Sequence, residues 1–488
     1  MRKITFVLLN FCFGINVLIA QFQGGIASSN HSGVLGISIN PANTNYLNNG
    51  TDFLLGGFSG SILNNGFYLK AKPITQYING EIITSFTKKD PSNPEEGINE
   101  KFDRIYNIQR SLKPSNYIFT DATILGPSFL INHKKHSFGL STSVKTNSNT
   151  IDLSPNMAIF LLKGANAIEL VGKSTNLNYV TSSTMVYTDI AFNYSYQVAE
   201  TFKGLHRLGF SAHYLNGINS IIFQDNNNAK WDFIGDSSIY MNGADFIYSY
   251  AATKSGKIAE LLESRGTGFA LDVGYTYTRK KKGRPTRKTI CPNIRYLGKI
   301  REYQEYKWKL GVALMDIGYI NFKTQTSINT YENATGEVKN LDLSFYSGVF
   351  ALERALNFAY SNPPTIYTKE NNFTHYTATR LNVQFDYAYK NGWYFNFSGS
   401  HRLPVPGALS LRAPNILSLT TRYEKDNFDL YIPINLIEYQ YPVLGVGFRV
   451  GPFFMGTNHL LELVGLRNIR GADIYLGLKF NLSNFRGV

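Results

Sequence analysis

A chain of 488 residues carries a formal net charge of +14 at pH 7, 43% hydrophobic residues, 14% aromatic residues and 2 cysteines. Cys12 lies in the leading apolar run, so beyond it only Cys291 remains and a disulfide-stapled fold is excluded. Apart from the leader, no stretch approaches about 18 consecutive apolar residues, which excludes helical membrane spans. No helical pattern carries the basic residues and the aromatics fall on oily strand faces, which excludes nucleic-acid recognition.

Met1-Arg2-Lys3, an apolar run from Ile4 to Ile19, and Ala20-Gln21 have the parts of a secretory signal peptide, so residues 1–20 are set apart from the fold. Without Arg2 and Lys3 the charge falls from +14 to +12. In an exported chain that balance points to anionic lipid or lipopolysaccharide. Residues 21–50, rich in Gly, Ser and Asn, read as a plug or hatch segment ahead of the first strand.

From residue 51 onward the chain repeats one motif: alternating strands joined by turns. Thr51 to Lys72 gives Gly-broken strands, and residues 73–118 read as a long loop in which Glu95 and Glu96 are solvated charge. A hairpin follows through His133-Lys134-Lys135. Ser154-Pro155 then opens a short helix over Met157-Ala158-Ile159-Phe160 that ends at Gly164, within a long excursion over 148–184. The strand from Val186 to Val198 places Ile190, Phe192, Tyr194 and Tyr196 outward and Asp189, Asn193 and Ser195 inward, and Arg207 to Leu215 answers it. Further strands are expected over 236–250 and 268–278, the latter with Asp272 inward.

The run Arg279 to Lys288 is the strongest concentration of charge; a lipopolysaccharide or partner contact is one reading, and a solvated loop is the favoured one. After Trp308 the alternation slips phase at Met315-Asp316, which calls for a bulge or a turn. Residues 327–375 form a second excursion, helical around Val349 to Leu356. The hairpin Arg380 to Lys390, turning through Asn391-Gly392, sets Leu381, Val383, Phe385 and Tyr387 against Arg380, Asn382, Gln384 and Asp386. Strands over 414–424, 427–436, 442–450, 452–457 and 472–482 complete the chain.

Short turns alternate with long connections, as in a transmembrane antiparallel β-barrel whose short turns lie on the periplasmic side and whose long loops are extracellular. If the slip near Asp316 is a reversal of direction, about 16 strands result; if it is a bulge, about 14, the count adopted here. The expected organisation is all-β: signal peptide over 1–20, plug over 21–50 and barrel over 51–488 in the outer membrane of a Gram-negative envelope. Inward positions carry Asp189, Asp272, Asp386, Asp429 and Asp473 against Arg207, Lys309, Arg380, Arg422, Arg449 and Lys479. A selective pore would show a ring of one sign. Mixed signs in a confined lumen are expected to pair with one another or with the plug, because an unpaired buried charge is expensive. These charges read as locks in an occluded barrel.

Enzymatic signals are poor. Gly57-Phe58-Ser59-Gly60-Ser61 departs from the nucleophile-elbow pattern because Ser61 replaces its last glycine. His133 and His136 bring no ligand set for a metal. No catalytic residue, metal or cofactor is expected.

Several ordered motifs carry a resemblance: Asn30-His31-Ser32-Gly33-Val34, Ile39-Asn40-Pro41-Ala42, Arg207 to Gly217, Gly266 to Gly274, Leu310 to Gly318, and Gly447 to Pro452. Together they resemble a family of Bacteroidota outer-membrane proteins known as domain of unknown function 5723. More distantly, Asn40-Pro41-Ala42 is similar to the hatch element of the FadL-type long-chain fatty acid transporters and their relatives in type IX secretion. That resemblance implies a hatch in the barrel, passage of a small hydrophobic molecule and sideways exit into lipid. The alternative expectation is a non-transporting outer-membrane scaffold, a partner of a secretion or gliding assembly that uses the excursions over 148–184 and 327–375 as contacts. The chain ends Asn484-Phe485-Arg486-Gly487-Val488, without the terminal aromatic common in outer-membrane barrels.

Overall fold

In the computed structural model, the described residues are 24–44, 49–73, 108–163, 167, 169–235, 238–253, 263–281, 306–339, 349–360, 363, 365–403, 405 and 409–481. The signal peptide, both cysteines, Glu95, Glu96, Gly164, most of the basic run and the C-terminal tail lie outside them.

Alternating strands joined end to end produce a closed 14-strand antiparallel barrel. Its wall begins with β1 (Asn49–Asn64), β2 (Asn116–Leu125, continued by Ser128–His133), β3 (His136–Leu153), β4 (Thr181–Glu200) and β5 (Gly204–Asp225). It continues through β6 (Gly266–Lys280), β7 (Tyr306–Phe322), β8 (Phe373–Tyr376, continued by Arg380–Ala388), β9 (Trp393–Arg402) and β10 (Ile416–Glu424). The last strands are β11 (Phe428–Ile437), β12 (Tyr441–Leu444, continued by Val446–Val450), β13 (Phe453–Thr457) and β14 (Gly471–Asn481). Closure comes from β1 pairing β14, Asp52 opposite Asn481 through Leu63 opposite Gly471, so no edge strand is left in the wall.

The alternation has the expected polarity. Along β8, Val383, Phe385 and Tyr387 are exposed while Asn382, Gln384 and Asp386 are buried. Side-chain period 2 therefore separates an oily outer surface from a polar interior. The turn to β9 uses Asn391 and Gly392 at φ 54° and 83°, the left-handed pair a two-residue hairpin turn needs.

At Met315-Asp316 the phase slip is a bulge within one continuous strand, β7. Asp316 sits at φ 56°, and two residues oppose Asp272, whose carboxylate accepts the Asp316 N–H at 2.6 Å. Direction is not reversed, which leaves 14 strands and removes the 16-strand alternative.

The strand expected over 236–250 exists as Ser238–Ala251 but does not belong to the wall. β5 is 22 residues long: Gly204 to Gly217 pair β6, while Ser220 to Asp225 pair Ser238–Ala251. That strand pairs in turn with Thr326–Val338, which pairs with Ile366–Glu370. The sheet thus forks above the barrel into a cap at the long-connection end. Small helices complete the chain: α1 (Gly24–Ala27), α2 (Val34–Ile37), α3 (Pro155–Lys163), α4 (Val349–Ala359) and α5 (Leu460–Leu463). Ser154 caps α3, its hydroxyl accepting from the Met157 amide at 3.4 Å, and Pro155 occupies the first turn, where no N–H is missed. The largest apolar cluster, with Phe160, Trp231, Phe246, Tyr331 and Tyr360, lies in this cap and not in the barrel.

Glu353 of α4 ties the cap together, accepting from Tyr250 at 2.5 Å, Lys369 at 2.7 Å and Ser327 at 3.2 Å. Burial pushes its carboxyl up, but Lys369, Tyr250 and Ser327 outweigh burial and hold it below the ordinary glutamate range. Because the folded-state value is depressed, Glu353 stabilises the cap fully above the ordinary value of about 4.3, and this contribution is lost as pH falls through the lower folded value. Hydrogen-exchange protection of the Val349–Ala359 amides should drop on acidification through that range. It should stay flat in Glu353→Gln, and equal acid sensitivity of the two proteins would contradict this role.

The turns at Lys134-Lys135, Thr201 to Lys203, Asn391-Gly392, Lys425 to Asn427 and Gly451-Pro452 share one end with the start of β1 and the end of β14. β6 also ends there, Arg279 opposite Gly204. The basic run therefore leaves the wall at the short-turn end, whereas a lipopolysaccharide contact calls for the end with the long connections.

Candidate functional site: the N-terminal segment and the lumen

Residues 24–44 lie inside the barrel, against buried inward side chains. Asn40-Pro41-Ala42 meets β5, β6 and β7 where inward glycines stand side by side. Gly209 is opposite Gly274, and two residues along β6, on the same face, Thr276 is opposite Gly311. A Cβ at Gly209 would come within 2.5 Å of the Ala42 nitrogen, one at Gly274 within 2.8 Å of Pro41 Cδ, and one at Gly311 within 3.0 Å of Asn40 Nδ2. Glycine is required at 209 by close approach of the segment's backbone, and at 274 by the Asn40 side chain and the Pro41 ring.

Polar contacts hold the segment in this seat. Asn40 Nδ2 donates to the Tyr275 and Val312 carbonyls at 3.2 and 3.4 Å, and its Oδ1 accepts the Ala42 N–H at 2.8 Å, fixing the turn. Asn193 Nδ2 donates to the Pro41 carbonyl at 3.2 Å, and the Thr276 hydroxyl to the Ala42 carbonyl at 3.4 Å. Arg207 donates to the Thr44 carbonyl at 3.1 Å and hydroxyl at 2.7 Å, and Lys309 to Asn43 Oδ1 at 2.8 Å.

Toward the short-turn end the segment meets a buried ionic cluster. Arg422, with a side chain 0% exposed, bonds Asp386 at 2.9 Å, Glu424 at 2.9 Å and the Ser28 hydroxyl at 3.0 Å. Glu424 accepts from Asn30 Nδ2 at 2.8 Å. Asp429 pairs with Arg449 at 2.6 Å and His31 at 3.0 Å, and accepts from the Tyr431 hydroxyl at 2.8 Å. A third array crosses β3 to β8: Lys145 with Asp189 at 2.7 Å, His213 with Asp189 and Asp272 at 2.9 Å each, and Arg380 with Asp316 at 3.1 Å.

Of the sequence-derived residues, Asp386, Arg422, Asp429 and Arg449 lie in the ionic cluster with the N-terminal segment. Arg207 and Asn40, Pro41 and Ala42 meet at the glycine seat, and Asp272 and Arg380 belong to the transverse array. Sequence reasoning gave His213, Glu424 and Lys145 no place in the site and named Asn30 only within a motif. It also passed over the seat, although inward glycines recurring on neighbouring strands are a readable signal of close approach.

The segment also has an apolar side. Val34, Leu35 and Ile37 pack with Leu54 and Leu130, and Leu125 is partly buried against them. This contact flanks a break in β2 at Gly126-Pro127. Proline cannot donate to the ladder, and β3 bridges the gap with other groups. The Thr142 N–H donates to Ser128 Oγ at 3.1 Å, the Thr142 hydroxyl to the Pro127 carbonyl at 3.0 Å, and the Gly126 N–H to the Thr142 carbonyl at 2.8 Å.

Among solved structures, the chain is similar to the Ralstonia pickettii toluene transporter TbuX, at 9% identity and TM-score 0.39 over 92% of this chain and 93% of that one. The P. putida toluene transporter TodX gives 9% identity and TM-score 0.39 over 96% and 98%. A Pseudomonas aeruginosa FadL homologue gives 10% identity and TM-score 0.34 over 90% and 91%. Likeness at this level carries no argument, and the barrel rests on its own strand pairing. No curated protein matches the sequence. A family model does match, over residues 41–458, from the seated Pro41 to the last long connection, and the chain therefore belongs to DUF5723, a family of unknown function.

Proposed function

We propose that this protein is an outer-membrane barrel that passes a small hydrophobic molecule when its N-terminal segment shifts. The oily outer surface, with Phe269 62% exposed and Ile190 47% exposed, is suited to lipid. Residues 24–44 act as the hatch, and the glycine seat and ionic cluster hold it shut. The observation that carries the reading is that the apolar side of the hatch, Val34, Leu35 and Ile37, is packed beside the β2 break. Movement of the hatch would open an apolar route next to the place where side chains replace part of the regular backbone pairing. Higher in the lumen, Met185, Leu215, Ile222, Ile320 and Phe322 form a second, separate apolar cluster toward the cap.

A second reading, a surface scaffold for an assembly, is favoured by apolar side chains at the long-connection end, where Phe358 is 88% exposed and Leu466 75% exposed.

Proteoliposome uptake separates the two. Deletion of residues 24–44 is expected to raise entry of labelled toluene and of a labelled medium-chain fatty acid at least about tenfold, a barrier change of about 1.4 kcal/mol. Full-length protein should show slow, saturable uptake. If both proteins are as impermeable as protein-free vesicles while still migrating as folded barrels, transport is wrong and the scaffold stands.

A further inference from the structure

At the short-turn end, the β4–β5 hairpin outgrows β3. β4 last pairs with β3 at Tyr196 opposite His136, yet it runs on to Glu200, which pairs with Leu205. The extension is about 13 Å at about 3.3 Å per residue. Its β5 side is covered by β6, with the Lys280 N–H donating to the Lys203 carbonyl at 3.1 Å. On its other side no strand among the described residues follows Gln197, whose N–H reaches the Lys135 carbonyl at 2.8 Å. Val198 is 51% exposed at a register shift, and Phe202 at the tip is fully exposed.

The surroundings are basic. Lys135 and Lys203 are exposed on the adjoining turns, while Glu200 is engaged by Lys280 within the hairpin. The outward rings mark where lipid ends at this side: His136 packs at a tilt against Tyr196, with ring centres 4.9 Å apart, and His206 against Tyr277 at 4.8 Å, an interfacial girdle. Phe202 stands beyond that girdle, along the barrel axis. An exposed aromatic flanked by lysines, beside a strand edge that no described strand covers, has the parts needed to hold an extended acidic peptide: backbone pairing, an apolar anchor and charge complementarity.

We propose that the tip from Val198 to Gly204, with Lys135 and Lys203 around it, is a docking site for an extended acidic segment of a partner protein in the compartment facing the short turns. This site is independent of what the lumen carries.

The test uses the full-length protein in nanodiscs of neutral phosphatidylcholine and a fluorescent peptide of alternating Glu and Val, with alternating Lys and Val as comparison. Fluorescence anisotropy should show binding of the acidic peptide only, weakening as salt rises. Phe202→Ser, and separately Lys135→Glu with Lys203→Glu, should each weaken it at least about tenfold. Lys425→Glu, on a turn farther round the rim, should leave it unchanged. Retention of the heat-modifiable gel shift shows that each variant is folded. Three outcomes overturn the proposal: no preference for the acidic peptide, equal loss in Lys425→Glu, or no effect of Phe202→Ser. Phe202-dependent binding to phosphatidylglycerol vesicles without peptide binding assigns the tip to lipid instead and overturns it as well.

Discussion

Gly274→Val is expected to unseat the N-terminal segment while leaving the barrel closed. The valine side chain would occupy the space of the Asn40 side chain and of Pro41 Cδ, which a Cβ at this position already approaches at 2.8 Å. Neither neighbour is the free end of a flexible chain: Asn40 is pinned to the Tyr275 and Val312 carbonyls, and Pro41 is a ring. Repulsion therefore falls on the segment, because β6 is held by ladders to β5 and β7 along its length. Overpacking of this kind costs roughly 1–3 kcal/mol, which here is borne by the docked segment. The measurable results are protease cleavage within residues 24–44 in folded barrels and toluene uptake close to that of the deletion. Gly399→Val is the comparison, since a Cβ there meets only Leu417 Cδ2 at 3.1 Å. If Gly274→Val protects the segment as well as Gly399→Val does, the glycines are not a seat.

Arg422→Met should be the most destabilising single change in the lumen. Among the described residues Arg422 bridges Asp386 and Glu424 in the ionic cluster, and its side chain is 0% exposed, with those of the two carboxylates 1% and 3% exposed. Removing the cation leaves two buried carboxylates facing each other without it, a loss of about 3–5 kcal/mol. The Ser28 contact goes with it, so the segment should loosen too. A lower urea midpoint and a lower temperature for loss of the folded gel band would report the effect. Adding Asp386→Leu and Glu424→Gln to Arg422→Met should recover most of the midpoint, since buried ion groups replaced by apolar or neutral ones of similar volume are often neutral. A triple variant no better than Arg422→Met would mean that packing, not charge, sets the cost.

Much of the wall was legible in the sequence. Period-2 alternation at Val383, Phe385 and Tyr387 against Asn382, Gln384 and Asp386 depends only on strand geometry, and the Asn391-Gly392 turn is local chemistry. Ser154-Pro155 announced a helix start for the same reason. Asp316 was legible only as an ambiguity: a phase slip is the same string whether the chain bulges or turns back, and the pairing of β7 to β6 on both sides of it decides for the bulge. Ser238–Ala251 alternates like a wall strand because it is half-buried too, but its buried face serves the cap.

The candidate site was less readable. Inward charges could be named one by one, but not matched. Arg380 finds Asp316, which looked like part of an irregularity, and Arg422 gathers Asp386 from β8 and Glu424 from its own strand around the N-terminal segment. Those pairs lie between 2 and 64 positions apart at no regular spacing, and the contacts of Arg422 and Glu424 with Ser28 and Asn30 span 394 positions, so none leaves a periodic trace.

By itself the sequence determined the alternation, the turns and the short helices, and through them an all-strand chain with one oily and one polar face, because each is set by the geometry of a few consecutive residues. Only the tertiary structure decided that β1 closes on β14, that β5 forks into a cap, that Gly209, Gly274 and Gly311 align under Asn40-Pro41-Ala42, and that the lumen charges are spent on one another and on residues 24–44. Those features depend on register between distant strands, which is fixed only when the barrel closes.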